Sequence, residues 1–425
     1  MTVLEDAEAA LATGPLCDSC LGRLFAERSF GLANAQRGRA LRISLALEAD
    51  DPFEESEDCW VCELESERVD WWAEQAATAV RGYDFATYQV GTKVPPLLEE
   101  NDALLREDVG LAPEAGEALK TELNREVGKR IGDITGAEVD FGRPDVQFTL
   151  DLATDEIDVN VNSAFVYGRY RKLERDIPQT EWPCRECNGT GRQRDEICPG
   201  CDGTGYRYDE SVEQLTAPPV EEAMEGSDAT FHGAGREDVD ALMLGTGRPL
   251  VIEVDEPRRR DVDTEELEAD INDFADGKVE VEGLRLATHR MVERVKEHPA
   301  SKTYRLEVTF DVPVDRASFE GALRDLDGAT ISQETPKRVD HRRASKTRTR
   351  EVYAIDGDLD AGGHGATLEV HGEGGLYVKE LAHGDEGRTE PSLATLLGIE
   401  VTVTALDVLA VEGEEEPFED EAFFV

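Results

Sequence analysis

All eight cysteines of this 425-residue chain fall into Cys-x-x-Cys pairs. The pairs are Cys17/Cys20, Cys59/Cys62, Cys184/Cys187 and Cys198/Cys201. Paired spacing of this kind in a cytosolic protein is typical of tetrahedral zinc sites. A disulfide scaffold would place its cysteines in a short secreted chain, and a redox motif needs only a single pair. We therefore predict structural zinc in one or two four-cysteine sites, in which four thiolates leave no open position for chemistry.

The charge of the chain is extreme. Its 94 Asp and Glu residues outweigh 45 Lys and Arg residues, which gives a formal net charge of -49. Such an excess repels itself in ordinary buffer and is screened by abundant salt, so it indicates adaptation to a molar-salt cytoplasm, as in haloarchaea. A disordered acidic protein is the alternative, but regular apolar periodicity argues against it. At molar salt counterion release contributes little to nucleic-acid binding, so the net charge does not exclude an RNA partner.

The N-terminal residues Met1 to Asp6 are acidic and lack the basic start and apolar stretch of a signal peptide. No run of apolar residues approaches the length of a membrane span. These patterns predict a cytoplasmic protein with no membrane association. The length predicts two to four domains.

The first half of the chain divides by its motifs. Residues 1–64, with the first two cysteine pairs, are predicted to form a small, partly helical zinc module with four cysteine ligands. Residues 65–180 show helices and then strands, with a helix over Thr121 to Ile131 and strands over Val146 to Leu150 and Ile157 to Val161. Residues 181–212 repeat the pattern Cys-x-x-Cys-x-Gly-Thr-Gly and are predicted to be a zinc knuckle. The repeat also resembles the cysteine-rich region of DnaJ-type chaperones, but nothing resembles their J domain.

Residues 213–425 read as alternating helices and strands. The periodicity predicts helices over Thr264 to Phe274 and Arg316 to Leu326, and strands over Tyr304 to Phe310 and Val401 to Val411. This order predicts an α+β domain with a central, mixed but mostly antiparallel sheet and flanking helices.

Two segments are basic within this acidic chain. In residues 165–175, Arg169, Arg171, Lys172 and Arg175 are predicted to bind RNA phosphates while Tyr167 or Tyr170 stacks on a base. A strand edge with ordinary ion pairs is the alternative. In residues 336–350 we predict that a basic cluster grips RNA phosphates, and a solvated basic strand is the alternative. The cluster comprises Lys337, Arg338, His341, Arg342, Arg343, Lys346, Arg348 and Arg350.

A glycine-framed segment, 231–240, carries Arg236, Asp238 and Asp240 shortly before an apolar run, Leu250 to Ile252. A rigid scaffold would present a reactive carboxylate on such a loop. A solvated acidic turn is the alternative.

Gly235-Arg236-Glu237-Asp238, with Gly245-Thr246-Gly247-Arg248-Pro249, resembles the catalytic motif of the archaeal Pus-ten family of tRNA pseudouridine synthases. Lys302 to Leu306 and Gly375 to Leu381 resemble two further motifs of that family. The resemblance implies a catalytic Asp238, with Asp240 as its competitor, and Lys379 paired with the aspartate. It also implies that Tyr304 and Tyr377 line the uridine pocket and that Arg236 fills the vacated space or holds a phosphate.

The same resemblance implies a pseudouridine synthase fold at residues 213–425, a THUMP RNA-binding domain at 65–180 and an N-terminal zinc site. The implied activity converts uridine to pseudouridine in the T-loop of tRNA, at position 54 with position 55 as a further candidate. It needs no organic cofactor and no obligatory protein partner; tRNA is the partner. The rival interpretations are a non-catalytic zinc-containing RNA-binding protein or RNA chaperone, and a THUMP-containing methyltransferase. For the methyltransferase, Gly245-Thr246-Gly247 is too short a nucleotide-binding signal.

Overall fold

The structure, a computed structural model, describes residues 2–194, 196–337 and 346–425. The chain divides into two compact units. Unit 1 contains residues 1–162 with Arg258–Arg260, and unit 2 contains residues 163–257 with 261–425. The finer predicted boundaries, after residues 64, 180 and 212, stay predictions. Within the described ranges, no helix combines the length and the apolar character that crossing a bilayer requires.

Unit 1 joins helices to a small sheet. Its first helix begins at a capping box, in which the Thr2 hydroxyl accepts from the Glu5 amide and the Glu5 carboxylate accepts from the Thr2 amide. The helices are α1 Val3–Ala12, α2 Asp18–Arg23, α3 Asn34–Ala49, α4 Val69–Ala79, α5 Pro96–Val109 and α6 Leu119–Thr135. The strands are β1 Thr87–Lys93, β2 Glu138–Val139, β3 Val146–Asp151 and β4 Glu156–Val161.

The sheet of unit 1 has the strand order β2-β1-β3-β4. β1 runs parallel to β2 and β3, whereas β3 and β4 are antiparallel. Alternate residues of β3 are buried, which is the period-two pattern that predicted this strand. The predicted helix over Thr121 to Ile131 lies within α6 and is also confirmed. One hydrophobic core contains residues of this sheet, of α4 to α6 and the cysteines of the first two pairs.

Unit 2 is built around one large sheet. The strands are β5 Ala164–Lys172, β6 Arg192–Gln193, β7 Glu196–Ile197, β8 Asp228–Gly233, β9 Leu242–Asp255, β10 Val279–Ala287, β11 Ala300–Phe310, β12 Thr330–Glu334, β13 Thr347–Leu359, β14 Gly365–Gly372, β15 Thr389–Glu390 and β16 Val401–Gly413. The helices are α7 Val212–Met224, α8 Thr264–Phe274, α9 Arg290–Glu297, α10 Arg316–Leu326, α11 Val378–His383 and α12 Leu393–Leu397.

The sheet has the order β10-β5-β9-β16-β11-β14-β13-β12-β15, with β8 paired to β9. Within the described part of the chain, β9 and β16 form its parallel pair, and the other neighbouring strands are antiparallel. The predicted α+β class with a mixed, mostly antiparallel sheet is therefore confirmed. The predicted helices coincide with α8 and α10, and the predicted strands lie within β11 and β16.

Two large hydrophobic cores lie in the described part of unit 2, apart from the small cluster of the cysteine module. One contains residues of β5, β8, β9 and β10 with α7, α8 and α9, and the other contains residues of β11 to β14 with α10, α11 and α12. Tyr304 on β11 packs against both cores. Its ring therefore lies where the two halves of the sheet meet.

Strand β9 begins earlier than the apolar run at Leu250 suggested. It starts at Leu242 and includes Gly245 and Gly247, whose φ angles of 56° and 71° are left-handed. A Cβ atom on Gly245 would lie 2.2 Å from the carbonyl oxygen of Leu409 on β16. The strand thus needs glycine for close approach, and the irregular backbone hides its period-two pattern.

Candidate active site and cysteine clusters

Asp238 lies on the loop of residues 234–241 that joins β8 to β9. Its Oδ2 atom is 2.9 Å from Nζ of Lys379, in the first turn of α11. The side chains of Asp238 and Lys379 are 42% and 21% exposed. Asp240 Oδ2 is 3.8 Å from the same amine, and its side chain is 71% exposed. Both aspartates face Lys379, and Asp238 is the nearer and the less exposed of the two.

Glu237, the residue before Asp238, is buried in a polar network that the sequence did not predict. Its Oε2 is 3.0 Å from Nε of Arg248, and both side chains are at most 1% exposed. The Tyr170 hydroxyl donates to the Glu237 carboxylate at 2.9 and 3.0 Å. Burial and the charge of Glu237 raise the pKa of Tyr170 well above its ordinary value, although Arg248 opposes the rise.

The same network holds the loop backbone. Arg248 Nη1 donates to the Ala234 carbonyl at 2.7 Å. Gln179 Nε2 donates to the Gly235 carbonyl and to the Tyr170 hydroxyl, each at 2.9 Å. Gly235 has a φ of 76°, so its conformation favours glycine. The backbone immediately before Asp238 is therefore fixed by buried side chains.

Lys172 is buried, although the sequence predicted an exposed, RNA-binding side chain. It was predicted to bind RNA phosphate, but it is 0% exposed. Its ammonium donates to the carbonyls of Ile177 at 2.7 Å, Val239 at 3.1 Å and Asp238 at 3.4 Å. Burial lowers the pKa of Lys172, whereas the charges of Glu237 and Asp240 oppose that change. Because this amine is enclosed by carbonyls, it supports the loop from within and does not reach solvent.

Tyr304 lies on β11, and Tyr377 lies immediately before α11. Burial raises the pKa of Tyr304 to about 12; Arg248 opposes this rise and Asp238 adds to it. Tyr377 precedes α11, and its backbone is held by Gln333 through two hydrogen bonds of 2.9 Å. Gln333 is buried and was not identified from the sequence. It fixes the start of the helix that carries Lys379.

The exposed Arg236 stacks its guanidinium over the Trp182 ring at 4.7 Å from the centroid. It lies on the same loop as Asp238, two residues earlier in the chain. The prediction that it contacts substrate stays a prediction.

The outward-facing arginines of β5 form ion pairs. Arg169 pairs with Glu412 at 3.0 Å and Glu419 at 2.8 Å, and Arg171 pairs with Glu280 at 3.1 Å and Glu282 at 2.8 Å. These contacts agree with the alternative of a strand with ordinary ion pairs. Contact of these two arginines with RNA stays a prediction.

The basic cluster of residues 337–350 is described only at its two ends. Lys337 pairs with Glu386, and Arg350 pairs with Glu373 at 3.0 Å. The Arg348 guanidinium donates to the Thr335 hydroxyl at 3.3 Å, and the backbone of Lys346 donates to the same hydroxyl at 3.1 Å. Arg338, His341, Arg342 and Arg343 lie outside the described residues.

The cysteines form two clusters, one in each unit. They are Cys17, Cys20, Cys59 and Cys62 in unit 1, and Cys184, Cys187, Cys198 and Cys201 in unit 2. The four sulfurs of each cluster lie within 4.8 Å of one another. The Sγ atoms of Cys17 and Cys62 are 3.7 Å apart, those of Cys184 and Cys198 are 3.9 Å apart, and those of Cys187 and Cys201 are 3.8 Å apart. A tetrahedral zinc ion with bonds of about 2.3 Å separates its sulfurs by about 3.8 Å, so both clusters fit a tetrahedral metal.

Backbone amides point at several of these sulfurs. The amides of Gly191 and Gly205 donate to Cys187 and Cys201 at 3.3 Å, and the Cys20 amide donates to Cys17 at 3.4 Å. Such hydrogen bonds stabilise thiolates and are typical of metal-bound cysteines. Each cluster can therefore hold a metal ion.

Comparisons with known proteins agree with these observations. Family models described as "Pus10, C-terminal" and "Pus10 THUMP domain, archaeal" match residues 165–412 and 72–151. A tRNA pseudouridine synthase Pus10 of Halorubrum lacusprofundi is 67% identical, with 100% of both chains covered. The proteins of the same name from Methanothrix thermoacetophila and Pyrococcus furiosus are 41% and 36% identical, covering 95% and 97% of this chain and 93% and 99% of theirs.

Among solved structures, a Cbf5-Nop10-Gar1 complex matches with a TM-score of 0.29 and 16% identity, over 56% of this chain and 60% of that one. The full-length similarity to the curated relatives and the two matched family models are decisive, and they confirm the resemblance first seen around Asp238. The chain belongs to the Pus10 family of pseudouridine synthases.

Proposed function

We propose that this protein converts uridine to pseudouridine in the T-loop of tRNA, at position 54 with position 55 as a further site. The observation that carries the proposal is the ion pair of Asp238 and Lys379, 2.9 Å apart, in which Asp238 lies on a loop whose backbone is fixed by buried side chains. The curated relatives are named as tRNA pseudouridine synthases, which supports tRNA as the partner. A tRNA substrate also favours a cytoplasmic location.

The reaction breaks the N1–C1′ bond of uridine and forms a C5–C1′ bond, so the product has the composition of the substrate. Neither a redox cofactor nor ATP is required. Asp238 acts as the nucleophile at the sugar, or as the base that leads to a glycal intermediate. The ammonium of Lys379 lies 2.9 Å from the Asp238 carboxylate and forms an ion pair with it.

Tyr304 acts as a neutral phenol in this proposal. With a pKa of about 12 it keeps its proton at neutral pH. A neutral ring offers a stacking face for uracil and a hydroxyl that both donates and accepts hydrogen bonds. Tyr304 thus assists removal of the C5 proton by positioning the base rather than as a phenolate.

The target uridine must leave its stack to reach Asp238, so RNA binding accompanies the chemistry. The archaeal THUMP match at residues 72–151 supports binding of the tRNA away from the reacting nucleotide. Zinc is the proposed metal of both cysteine clusters, because four thiolates at tetrahedral spacing are its preferred structural ligands. Each ion would stabilise the fold around it and take no part in bond making.

The test is to incubate the protein in molar KCl with an unmodified tRNA transcript, map pseudouridine chemically and weigh the RNA. We expect pseudouridine in the T-loop with no change in mass, and an Asp240→Asn variant that retains activity. An added methyl mass would support the methyltransferase alternative. Tight binding with every uridine unchanged would support a non-catalytic RNA-binding protein.

A further inference from the structure

We propose that Trp182, Arg207 and Arg236 form a binding site for RNA phosphodiester groups that flank the target uridine. The inference rests on the proposed function, because it takes RNA as the substrate. Its basis is that two guanidiniums from different segments of unit 2 meet on one indole ring beside the Asp238 loop.

The three side chains come from two parts of the fold. Trp182 and Arg207 flank the second cysteine cluster, and the Arg207 amide donates to the Trp182 carbonyl at 2.9 Å. Their neighbours Pro183 and Tyr206 pair as an antiparallel bridge. Arg236 comes from the loop between β8 and β9, two residues before Asp238. The stack therefore joins the cysteine module to the candidate active site.

The geometry is that of a cation–π stack. The guanidinium carbons of Arg236 and Arg207 lie 4.7 and 5.1 Å from the Trp182 ring centroid. Tyr208 packs edge-on against Trp182 at 5.5 Å, and Arg207 also lies 5.8 Å from the Tyr208 ring. A guanidinium held by its face keeps its N–H groups free in its own plane.

These two guanidiniums differ from the arginines of β5. Both Arg207 and Arg236 are exposed, and neither side chain forms an ion pair or a hydrogen bond with any residue that the structure describes. Arg169 and Arg171, by contrast, each pair with two glutamates. Arg207 and Arg236 thus bring two guanidiniums without an ion-pair partner among the described residues to one ring, in a chain with 94 acidic residues.

A phosphodiester matches the chemistry of this site. The planar fork of a guanidinium matches the two free oxygens of a phosphate, and stacking on Trp182 fixes its orientation before the RNA arrives. Such preorganisation matters at molar salt, where counterion release contributes little to binding. The position two residues before Asp238 places the bound phosphate next to the reacting nucleotide.

The experiment measures the affinity of the full-length protein for a T-arm hairpin RNA in molar KCl, by fluorescence anisotropy. Wild type, Arg207→Ala and Arg192→Ala are compared; Arg192 is an exposed arginine of the same cysteine module and serves as the matched control. Each protein is titrated with the natural RNA and with RNAs in which one phosphate flanking the target uridine is a neutral methylphosphonate.

We expect Arg207→Ala to weaken binding of the natural RNA about tenfold, because a charge-assisted hydrogen bond is lost. On one of the methylphosphonate RNAs, Arg207→Ala and the wild type should bind with equal affinity, because the phosphate charge that Arg207 contacts is already absent. Arg192→Ala should bind every RNA as the wild type does. The proposal is overturned if Arg207→Ala binds the natural RNA like the wild type, or if its loss is equal on all RNAs.

Trp182→Ala tests the role of the ring. It should weaken binding of the natural RNA at least as much as Arg207→Ala, because both guanidiniums lose their support. If Trp182→Ala weakens binding but Arg207→Ala does not, the ring stacks on a base and the phosphate site is wrong. The metal content and melting temperature of each variant show whether the cysteine module is still folded. If Trp182→Ala fails to fold, the test depends on Arg207→Ala alone.

The outcome separates this inference from the proposed function. Suppose that Arg207→Ala loses its effect on one methylphosphonate RNA, but the wild type leaves every uridine unchanged. The phosphate-binding site would then be supported, and the proposed enzymatic activity would be rejected. If the wild type forms pseudouridine but Arg207→Ala has the same effect on every RNA, the proposed activity would be supported and the phosphate-binding site would be rejected. A third outcome would indicate a protein partner instead. All variants would bind RNA with equal affinity, and an acidic peptide would displace the RNA only from proteins that keep Arg207; this result would overturn the proposal.

Discussion

Glu237 and Asp238 are consecutive carboxylates on one loop, yet their surroundings are opposite. The Glu237 side chain is 0% exposed and lies between Arg248 and Tyr170. The Asp238 side chain is 42% exposed and faces Lys379. A buried carboxylate with a full set of partners cannot reach a substrate, whereas an accessible one beside an ammonium can. Consecutive residues of this loop thus differ in role: Glu237 supports the fold, and Asp238 is the proposed catalytic residue.

Buried side chains hold the backbone on both sides of Asp238. Glu237, Arg248 and Gln179 hold the backbone on the side of residues 234–237, and Lys172 holds the carbonyls of Asp238 and Val239. Asp238 therefore projects from a backbone fixed before and after it. Such preorganisation is what a catalytic group needs for its geometry to survive substrate binding.

The largest effect is expected when the buried charge pair is broken. Glu237→Gln leaves Arg248 charged and enclosed without a counterion, so we expect the free energy of unfolding to fall by about 3–5 kcal/mol. Chemical denaturation in molar KCl measures it. Glu280→Gln, which removes a half-exposed partner of Arg171, should change stability by less than about 1 kcal/mol. Equal effects of the two changes would remove the distinction between a supporting and an ordinary carboxylate.

Lys379→Met should act on chemistry instead of stability. Loss of the ammonium beside Asp238 is expected to slow single-turnover pseudouridine formation by about 10²-fold. The partly exposed pair contributes little to folding, so stability should change by less than about 1 kcal/mol. Lys296→Met, at an exposed lysine of α9, is the control. A fully active Lys379→Met protein would show that the pair with Asp238 has no catalytic role.

Lys172→Met should reduce both stability and rate. Three backbone carbonyls lose a buried donor, which costs about 1–3 kcal/mol. Because the pKa of Lys172 is lowered in the folded protein, the unfolded chain binds its proton more tightly. The wild type should therefore gain stability relative to Lys172→Met as pH rises from the folded pKa to the ordinary lysine value. Paired denaturation curves at neutral and alkaline pH measure this, and an advantage that shrinks with pH would contradict the buried ammonium.

Tyr304→Phe should give the smallest effect, about a tenfold lower rate from loss of one hydroxyl near the base. The raised pKa means that the folded protein holds this phenolic proton more tightly than the unfolded chain does. The stability that Tyr304 contributes in this way is present below the ordinary tyrosine pKa of about 10 and is lost as pH rises through about 12. Denaturation of wild type and Tyr304→Phe across that range checks it. A phenol that ionises at its ordinary pKa would contradict the packing of the Tyr304 ring against the two cores.

The sequence indicated the candidate catalytic carboxylate, Asp238, but not the residues that support its loop. Asp238, Lys379 and Tyr304 lie in short motifs that resemble a family, and the structure brings the first two together. Glu237, Gln179 and Gln333 were missed because their partners lie far along the chain; Tyr170 and Glu237, for instance, are 67 residues apart. No local pattern reports such contacts.

Lys172 could have been placed correctly. Period-two alternation on β5 puts Tyr170 and Lys172 on the buried face and Arg169 and Arg171 on the other, where they pair with glutamates. The same alternation correctly predicted β3 and β4, which have regular backbones. It failed on β9, because glycines at positive φ interrupt the strand.

The most direct measurement of the central claim compares Asp238→Asn with Glu237→Gln. Both are nearly isosteric changes at adjacent residues, and each protein is assayed for single-turnover pseudouridine formation per folded molecule on the same tRNA transcript. We predict that Asp238→Asn folds as stably as the wild type but is slower by more than about 10³-fold, as when a nucleophile is removed. Glu237→Gln should retain measurable activity in its folded fraction. An Asp238→Asn protein that forms pseudouridine at a rate close to that of the wild type would contradict the account.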